Sequence, residues 1–217
     1  MIIVDIETTG VYPEKHAILS IGAVEFEHPE NQFYEECRIW EGAEVMQEGE
    51  DGMRYALDVN GFTEENIRDQ KKKSQKKIME DFSAWIQTCK EHTFAGENPS
   101  FDRDFLRETA KRENISWPLG RRTIDLHSVG YTHMLKRGAT PPTKNKRTDL
   151  NLDKILVYVG LPEEPKPHHA LTGAKCEAEA FSRVLFAKNL LKEYAQYAIP
   201  DSLKPEGNNV ERTTKDI

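Results

Sequence analysis

The chain opens on an apolar run, Ile2 to Ile6, interrupted by the single acid Asp5. That pattern predicts a buried strand ending in a polar site. Residues 18–27 (ILSIGAVEFE) begin apolar and then alternate, which predicts a second strand, and residues 33–40 (FYEECRIW) predict a third that pairs with it. Turns near Gly10–Pro13 and His28–Asn31 close a meander. Residues 41–61 read as a loop with a short helix. Thr63, followed by Glu64 and Glu65, reads as a helix start. This helix is expected to reach about Cys89, with a break near Ser74 and with Ile78, Phe82, Trp85 and Ile86 on its apolar face. Residues 93–96 predict a short strand, and 101–114 a helix with Phe101, Phe105 and Leu106 inward. Residues 122–126 read as a further strand or helix entry, and 129–135, 150–159 and 170–197 as helices, the last a single long one. Residues 137–149 carry a glycine, two prolines and four Lys/Arg, the signature of a mobile loop. Strands first, then helices mixed with short strands, predict an α/β fold around one mixed sheet. The expected organisation is one domain over residues 1–198 and a polar, flexible tail over 199–217.

Composition narrows the class. Hydrophobic residues make up 37% and charged residues 31% of the 217 positions, which describes a soluble, polar chain. No apolar run reaches the roughly 18 residues of a bilayer span, and the N-terminus lacks a signal-peptide pattern. Cys37, Cys89 and Cys176 form no CxxC pair, so reduced thiols in a cytoplasmic protein are expected rather than a zinc site. No oligomer interface is evident from the pattern. The formal net charge of −7 argues against general attraction to nucleic acid, yet basic residues crowd 71–77 (KKKSQKK) and 136–147 (KRGATPPTKNKR). Local basic loops, or metal ions held by carboxylates, still allow an acidic chain to bind a phosphate backbone.

The candidate chemistry begins in the first strand. Asp5 and Glu7 are two residues apart and project from the same face. Two carboxylates so placed repel unless a cation lies between them, and hard oxygen-binding ions such as Mg²⁺ or Mn²⁺ suit that role. Read alone, the pair is equally a solvated strand end.

The stretch Asp5-Ile6-Glu7-Thr8-Thr9-Gly10 closely resembles the first motif of the DnaQ-like, or DEDD, 3′–5′ exonucleases. Asn98-Pro99-Ser100-Phe101-Asp102-Arg103-Asp104-Phe105-Leu106 resembles their second motif, N-x-x-F-D-x-x-F-L, and supplies Asp102 as a third acid. His168-His169-Ala170-Leu171-Thr172-Gly173-Ala174 resembles the third motif of the histidine subtype, H-x-A-L-x-D-A, with His168 as the motif histidine. The resemblance covers residues 2 to about 190 and implies an RNase H-like fold, a central mixed sheet flanked by helices. It implies a nucleic-acid partner and two divalent ions, Mg²⁺ or Mn²⁺. Asp5 would bridge them, Glu7 and a fourth acid would hold the first, and Asp102 would order the second through water. His168 would be the general base, working in its neutral form above a pKa of about 6.5. The products would be nucleoside 5′-monophosphates. Thr8, Thr9 and Asn98 are placed to contact the terminal nucleotide, the threonines serving equally as turn residues.

One position departs from the pattern. The family's fourth acid falls five residues after the histidine, and that residue here is Gly173. Glycine binds no metal and weakens a helix by roughly 1 kcal/mol relative to alanine. Three readings stand. The carboxylate has moved to Glu177, one helical turn or about 5.4 Å further on the same face; or the chain binds nucleic acid without cutting it; or Gly173 is an engineered inactivating change. Outside the family, a metal-dependent phosphohydrolase of small nucleotides is the competing class.

Overall fold

The computed structural model describes residues 1–49 and 55–204. A five-stranded sheet in the order β3-β2-β1-β4-β5 forms its centre. The strands are β1 (Ile2–Thr8), β2 (Ile18–Glu25), β3 (Gln32–Glu36), β4 (Phe94–Gly96) and β5 (Thr123–Asp125). The first three pair antiparallel as a meander, whereas β4 and β5 run parallel to β1, so the sheet is mixed as expected.

Alternation along β1 divides the core. Ile2, Val4 and Ile6 pack with helices α2 (Gln75–Ile86) and α3 (Ser100–Arg112). Ile3 packs on the opposite face with α4 (Leu126–Lys136), α5 (Leu152–Tyr158) and α6 (Ala170–Phe186). Each fully buried large apolar side chain, such as Ile3 or Phe181, contributes about 1.5–3 kcal/mol. Asp5 and Glu7 have the parity of Ile3 and so face α6. Helix α6 lies close on the sheet because β2 carries Gly22 beneath it: a Cβ there would lie 2.2 Å from the Ala170 carbonyl carbon.

Four expectations need correction. The helix foreseen from Thr63 begins only at Gln75, capped by Ser74, whose side chain accepts the Lys77 N–H. The upstream backbone is used elsewhere: the Arg38 N–H donates to the Lys73 carbonyl and the Ile39 N–H to that of Ile67. For the same reason the third strand stops at Glu36 rather than Trp40. A short helix α1 (Ala56–Asn60) precedes this segment, and Asn66–Arg68 form one 3₁₀ turn. The last helix ends at Phe186, not Tyr197, because Ala187 turns left-handed (φ 51°). The fully buried Glu179–Arg183 pair, at 2.8 Å, holds the returning chain: Glu179 accepts the Leu190 and Leu191 N–H groups, and Arg183 donates to the carbonyls of Tyr194 and Tyr197. Residues 137–149 contain a hairpin, β6 (Thr143–Lys144) and β7 (Arg147–Thr148), turned by Asn145 and Lys146, both at positive φ. Two adjacent residues of that kind form the turn whose twist suits a two-residue hairpin.

Packing also continues past the expected boundary at residue 198. Leu203 is buried in the core, and Arg137 donates to the carbonyls of Leu203 and Lys204. The rest of the expected tail, 205–217, lies outside the described residues. The three cysteines are free and buried. No helix among the described residues is long and apolar enough to cross a membrane.

Candidate active site

Strands β1, β4 and β5 end at one edge of the sheet, and in open α/β sheets ligands bind outside such carboxyl ends. A cavity of about 280 Å³ opens there, lined by Asp5, Glu7, Asp102, Glu164, His168 and Glu177 among others. All four predicted acids and the predicted histidine are thus brought together from β1, α3, α6 and the segment before α6.

Local geometry positions each group. Strand β4 pairs with β1 only at Ile2 and Ile3, which leaves the Ile6 N–H without a strand partner on that side. Asp102, in the first turn of α3, accepts this N–H at 3.1 Å and is drawn to the cavity floor. Glu177 is only 4% exposed, and its buried Oε2 has no hydrogen-bond partner. The His168 N–H donates to the Val59 carbonyl at 2.9 Å, and its ring lines the cavity. His169 instead stacks on Tyr34, with ring centroids 4.3 Å apart.

The structure adds Glu164, which no motif indicated. It is buried, its Oε2 lies 3.7 Å from His168 Nδ1, and its Oε1 has no hydrogen-bond partner. In sequence it is one of two adjacent glutamates in a proline-rich stretch without periodicity; its place four residues before the motif histidine was the only available cue.

Gly173 has a packing role that the sequence did not suggest. A Cβ at that position would lie 2.0 Å from Asp5 Oδ2 and 3.2 Å from Glu164 Oε1. The Asp5 carboxylate therefore occupies the space where a side chain at 173 would begin.

The nucleotide-contacting threonines are corrected in part. Thr9 is fully buried; its hydroxyl donates to the Glu44 carbonyl and accepts the Ala17 N–H, and its backbone N–H and carbonyl are bonded to Ala17 and Met46. It has nothing left to offer a ligand. The Thr8 hydroxyl donates to the Gly10 carbonyl at 2.6 Å, which is turn chemistry. Asn98 is exposed at the cavity rim, and its left-handed backbone (φ 51°) leads into α3. Of the basic run 71–77, Lys72, Lys73 and Lys77 are engaged in ion pairs with Glu36, Glu35 and Asp81.

The cavity is electrostatically frustrated. Burial, and then the Glu164 and Asp102 carboxylates, push Glu7 up to about 8. Burial also pushes Asp102 up to about 8 and Glu164 to about 7, with Glu97 and Asp153 respectively adding to the effect. Burial and neighbouring carboxylates hold Asp5 and Glu177 well above the usual range. Among the described residues no three His, Cys, Asp or Glu side chains already converge as a ready-made ligand set. The donor set nevertheless fits a hard divalent cation: oxygens only, crowded, desolvated, and two of them without a donor.

Known proteins resemble this chain in sequence and in fold. The 3′–5′ DNA exonuclease Cap18 of Escherichia coli is 28% identical over 184 residues, covering 82% of this chain and 87% of that protein. A PolC-type DNA polymerase III of Thermotoga petrophila is 24% identical over 184 residues, covering 84% of this chain but only 12% of the polymerase. The zinc-bound E. coli exonuclease I–single-stranded DNA complex superposes with a TM-score of 0.65 at 18% identity, covering 86% of this chain and 41% of that one. This likeness shows the fold, which is the RNase H-like fold expected. The model of the Rv2179c-like 3′–5′ exoribonuclease domain matches residues 1–185, and the chain belongs to that family.

Proposed function

We propose that this chain hydrolyses phosphodiester bonds from the 3′ end of a nucleic-acid strand and releases nucleoside 5′-monophosphates. The observation that carries this reading is the meeting of Asp5, Glu7, Asp102, Glu177 and His168 in one cavity at the carboxyl edge of the sheet. Asp5, Glu7, Asp102 and Glu177 would hold Mg²⁺ or Mn²⁺, two ions by family resemblance. Such ions, when bound, acidify a water and offset negative charge on the phosphate. His168 takes the proton of the attacking water through its ring, which is one-third exposed at the cavity. Without a cation the carboxylates repel a phosphodiester, so the chain's own charge makes the reaction ion-dependent.

Two adjoining clefts give the strand a path. One of about 380 Å³ shares His168 with the site and presents Tyr34, Phe62 and His169, aromatic faces on which bases stack without sequence preference. The other, about 330 Å³, shares Glu97 and Asn98 and reaches Thr148 at the basic hairpin, where Lys144, Lys146 and Arg147 are exposed. These cations suit phosphates upstream of the 3′ end.

The test is product identity. An oligonucleotide labelled in its 3′-terminal nucleotide should yield labelled 5′-monophosphate in Mn²⁺, while free nucleoside triphosphates should be left intact. His168→Asn should slow the reaction by about 10²–10⁴-fold and flatten its rise with pH. Turnover of free nucleotides with an intact oligonucleotide would reassign the chain to the small-nucleotide phosphohydrolases.

A further inference from the structure

The motif spacing requires a carboxylate at residue 173 and finds glycine there. Glu164 approaches that same place from a different element. It lies in the stretch Leu161–Pro167 ahead of α6, where Pro162, Pro165 and Pro167 restrict the backbone. Asp153 of α5 accepts the Glu164 N–H at 3.0 Å and anchors the loop. The side chain is directed inward and is only 6% exposed.

Its two oxygens serve different neighbours. Oε2 faces His168 Nδ1 at 3.7 Å. Oε1 is buried without a hydrogen-bond partner, 3.2 Å from the point where a Cβ on residue 173 would lie. An aspartate at 173 would start at that point, so Oε1 occupies the neighbourhood that its carboxylate would reach. Glu177, in contrast, places its Oε2 against Gly96 at the end of β4, 3.2 Å from where a Cβ there would lie. It faces the Asp5, Asp102 and Glu97 carboxylates from the β4 end of the cavity, and no Glu177 atom is among the three nearest to a Cβ on residue 173. A carboxylate oxygen taken out of water with no donor is unfavourable unless a cation joins it, and Asp5 and Glu7 line the same cavity.

We propose that Glu164, carried by the loop before α6, replaces the acid missing at Gly173, and that its Oε1 completes with Asp5 and Glu7 an oxygen-donor site for one divalent cation. This rests on the exonuclease reading above. Gly173 and Glu164 form a reciprocal pair: the helix gives up a side chain, Asp5 fills the space so left, and a glutamate from the loop fills the remainder.

The deciding experiment is calorimetric titration of the purified chain with MnCl₂, alongside melting in Mn²⁺ and in EDTA. Glu164→Gln should weaken Mn²⁺ binding by about tenfold or more, on the scale known for residues that support metal ligands. It should also lose most of the ion-induced rise in melting temperature, while melting in EDTA no lower than the parent. The exposed neighbour variant Glu163→Gln should titrate like the parent. Should Glu164→Gln not fold, Glu164→Asp, with its shorter reach, decides by the same titration, and an affinity equal to the parent's would overturn the proposal. If Glu164→Gln binds Mn²⁺ like the parent while Glu7→Gln does not, the Glu164 assignment falls and the exonuclease reading stands. If the parent itself neither binds Mn²⁺ nor shortens a strand, both fall together.

Discussion

A neutral substitution in the acidic cavity should make the metal-free chain more stable, and Glu7→Gln is the cleanest case. Glu7 is 7% exposed, and burial, Glu164 and Asp102 raise it from 4.5 to about 8. The folded chain therefore holds a proton on Glu7 that the unfolded chain releases near 4.5. Stability attributable to this group is present below 4.5 and is lost as pH rises toward about 8. At about 1.4 kcal/mol per pH unit, that interval is worth roughly 5 kcal/mol for an isolated group. Asp5, Asp102 and Glu164 share the same few protons, so part of this is relieved as neighbours protonate in turn. The expected net gain is about 2 kcal/mol, within the range of substitutions that relieve a frustrated functional site. Glutamine resembles the protonated acid, so the gain should be small at pH 5 and full at pH 8. The assay is urea denaturation of parent and variant in EDTA at both pH values. In saturating Mn²⁺ the order should reverse, since an ion at 100 times its Kd adds about 2.7 kcal/mol to whichever chain binds it. A parent more stable than Glu7→Gln at pH 8 in EDTA, or a difference that does not change between pH 5 and 8, would refute the reasoning.

Three further outcomes follow from the geometry. Gly173→Ala should retain the fold but force the Asp5 carboxylate to rotate, since its Cβ would lie 2.0 Å from Asp5 Oδ2; an ångström of misplacement corresponds to about a 10²-fold loss in kcat, read against an unchanged circular dichroism spectrum. Glu179→Gln leaves the fully buried Arg183 without its charge partner and should cost about 3–5 kcal/mol in denaturant unfolding. Replacing Lys144, Lys146 and Arg147 together with glutamine should weaken oligonucleotide binding without altering product identity. It should reduce the slope of log affinity against log salt by up to about 3, measured by fluorescence anisotropy.

What the sequence discloses divides along physical lines. A strand repeats every two residues, so spacing alone places Asp5 and Glu7 on one face, and Ile3 shows which face it is. Asp102 and His168 are legible because their motifs mark helix entries, where local spacing fixes direction. Glu164 is not, because a proline-rich loop has no period and nothing local distinguishes it from Glu163; only packing against Asp153 selects it. The same limit explains why no long helix starts at Thr63. The local signals for one are sound, but backbone groups at Ile67 and Lys73 are claimed by Ile39 and Arg38, nearly thirty residues or more away. Gly173 reads locally as a missing ligand; its contact with Asp5 spans most of the chain and leaves no trace in local pattern. Likewise Glu179 and Arg183 look like surface helix residues by spacing, and only the returning backbone they bind shows why both are buried.

The central claim, ion-dependent removal of nucleotides from a 3′ end, is tested most directly by one gel. Single-stranded RNA and DNA, each labelled at the 5′ end, are incubated with the chain in Mg²⁺, in Mn²⁺ and in EDTA. Ion-dependent exonuclease action gives a ladder of 5′-labelled fragments shortening one nucleotide at a time, in at least one of the two nucleic acids, with no shortening in EDTA. Full-length strands in every lane, internal cuts, or shortening that persists in EDTA would contradict it.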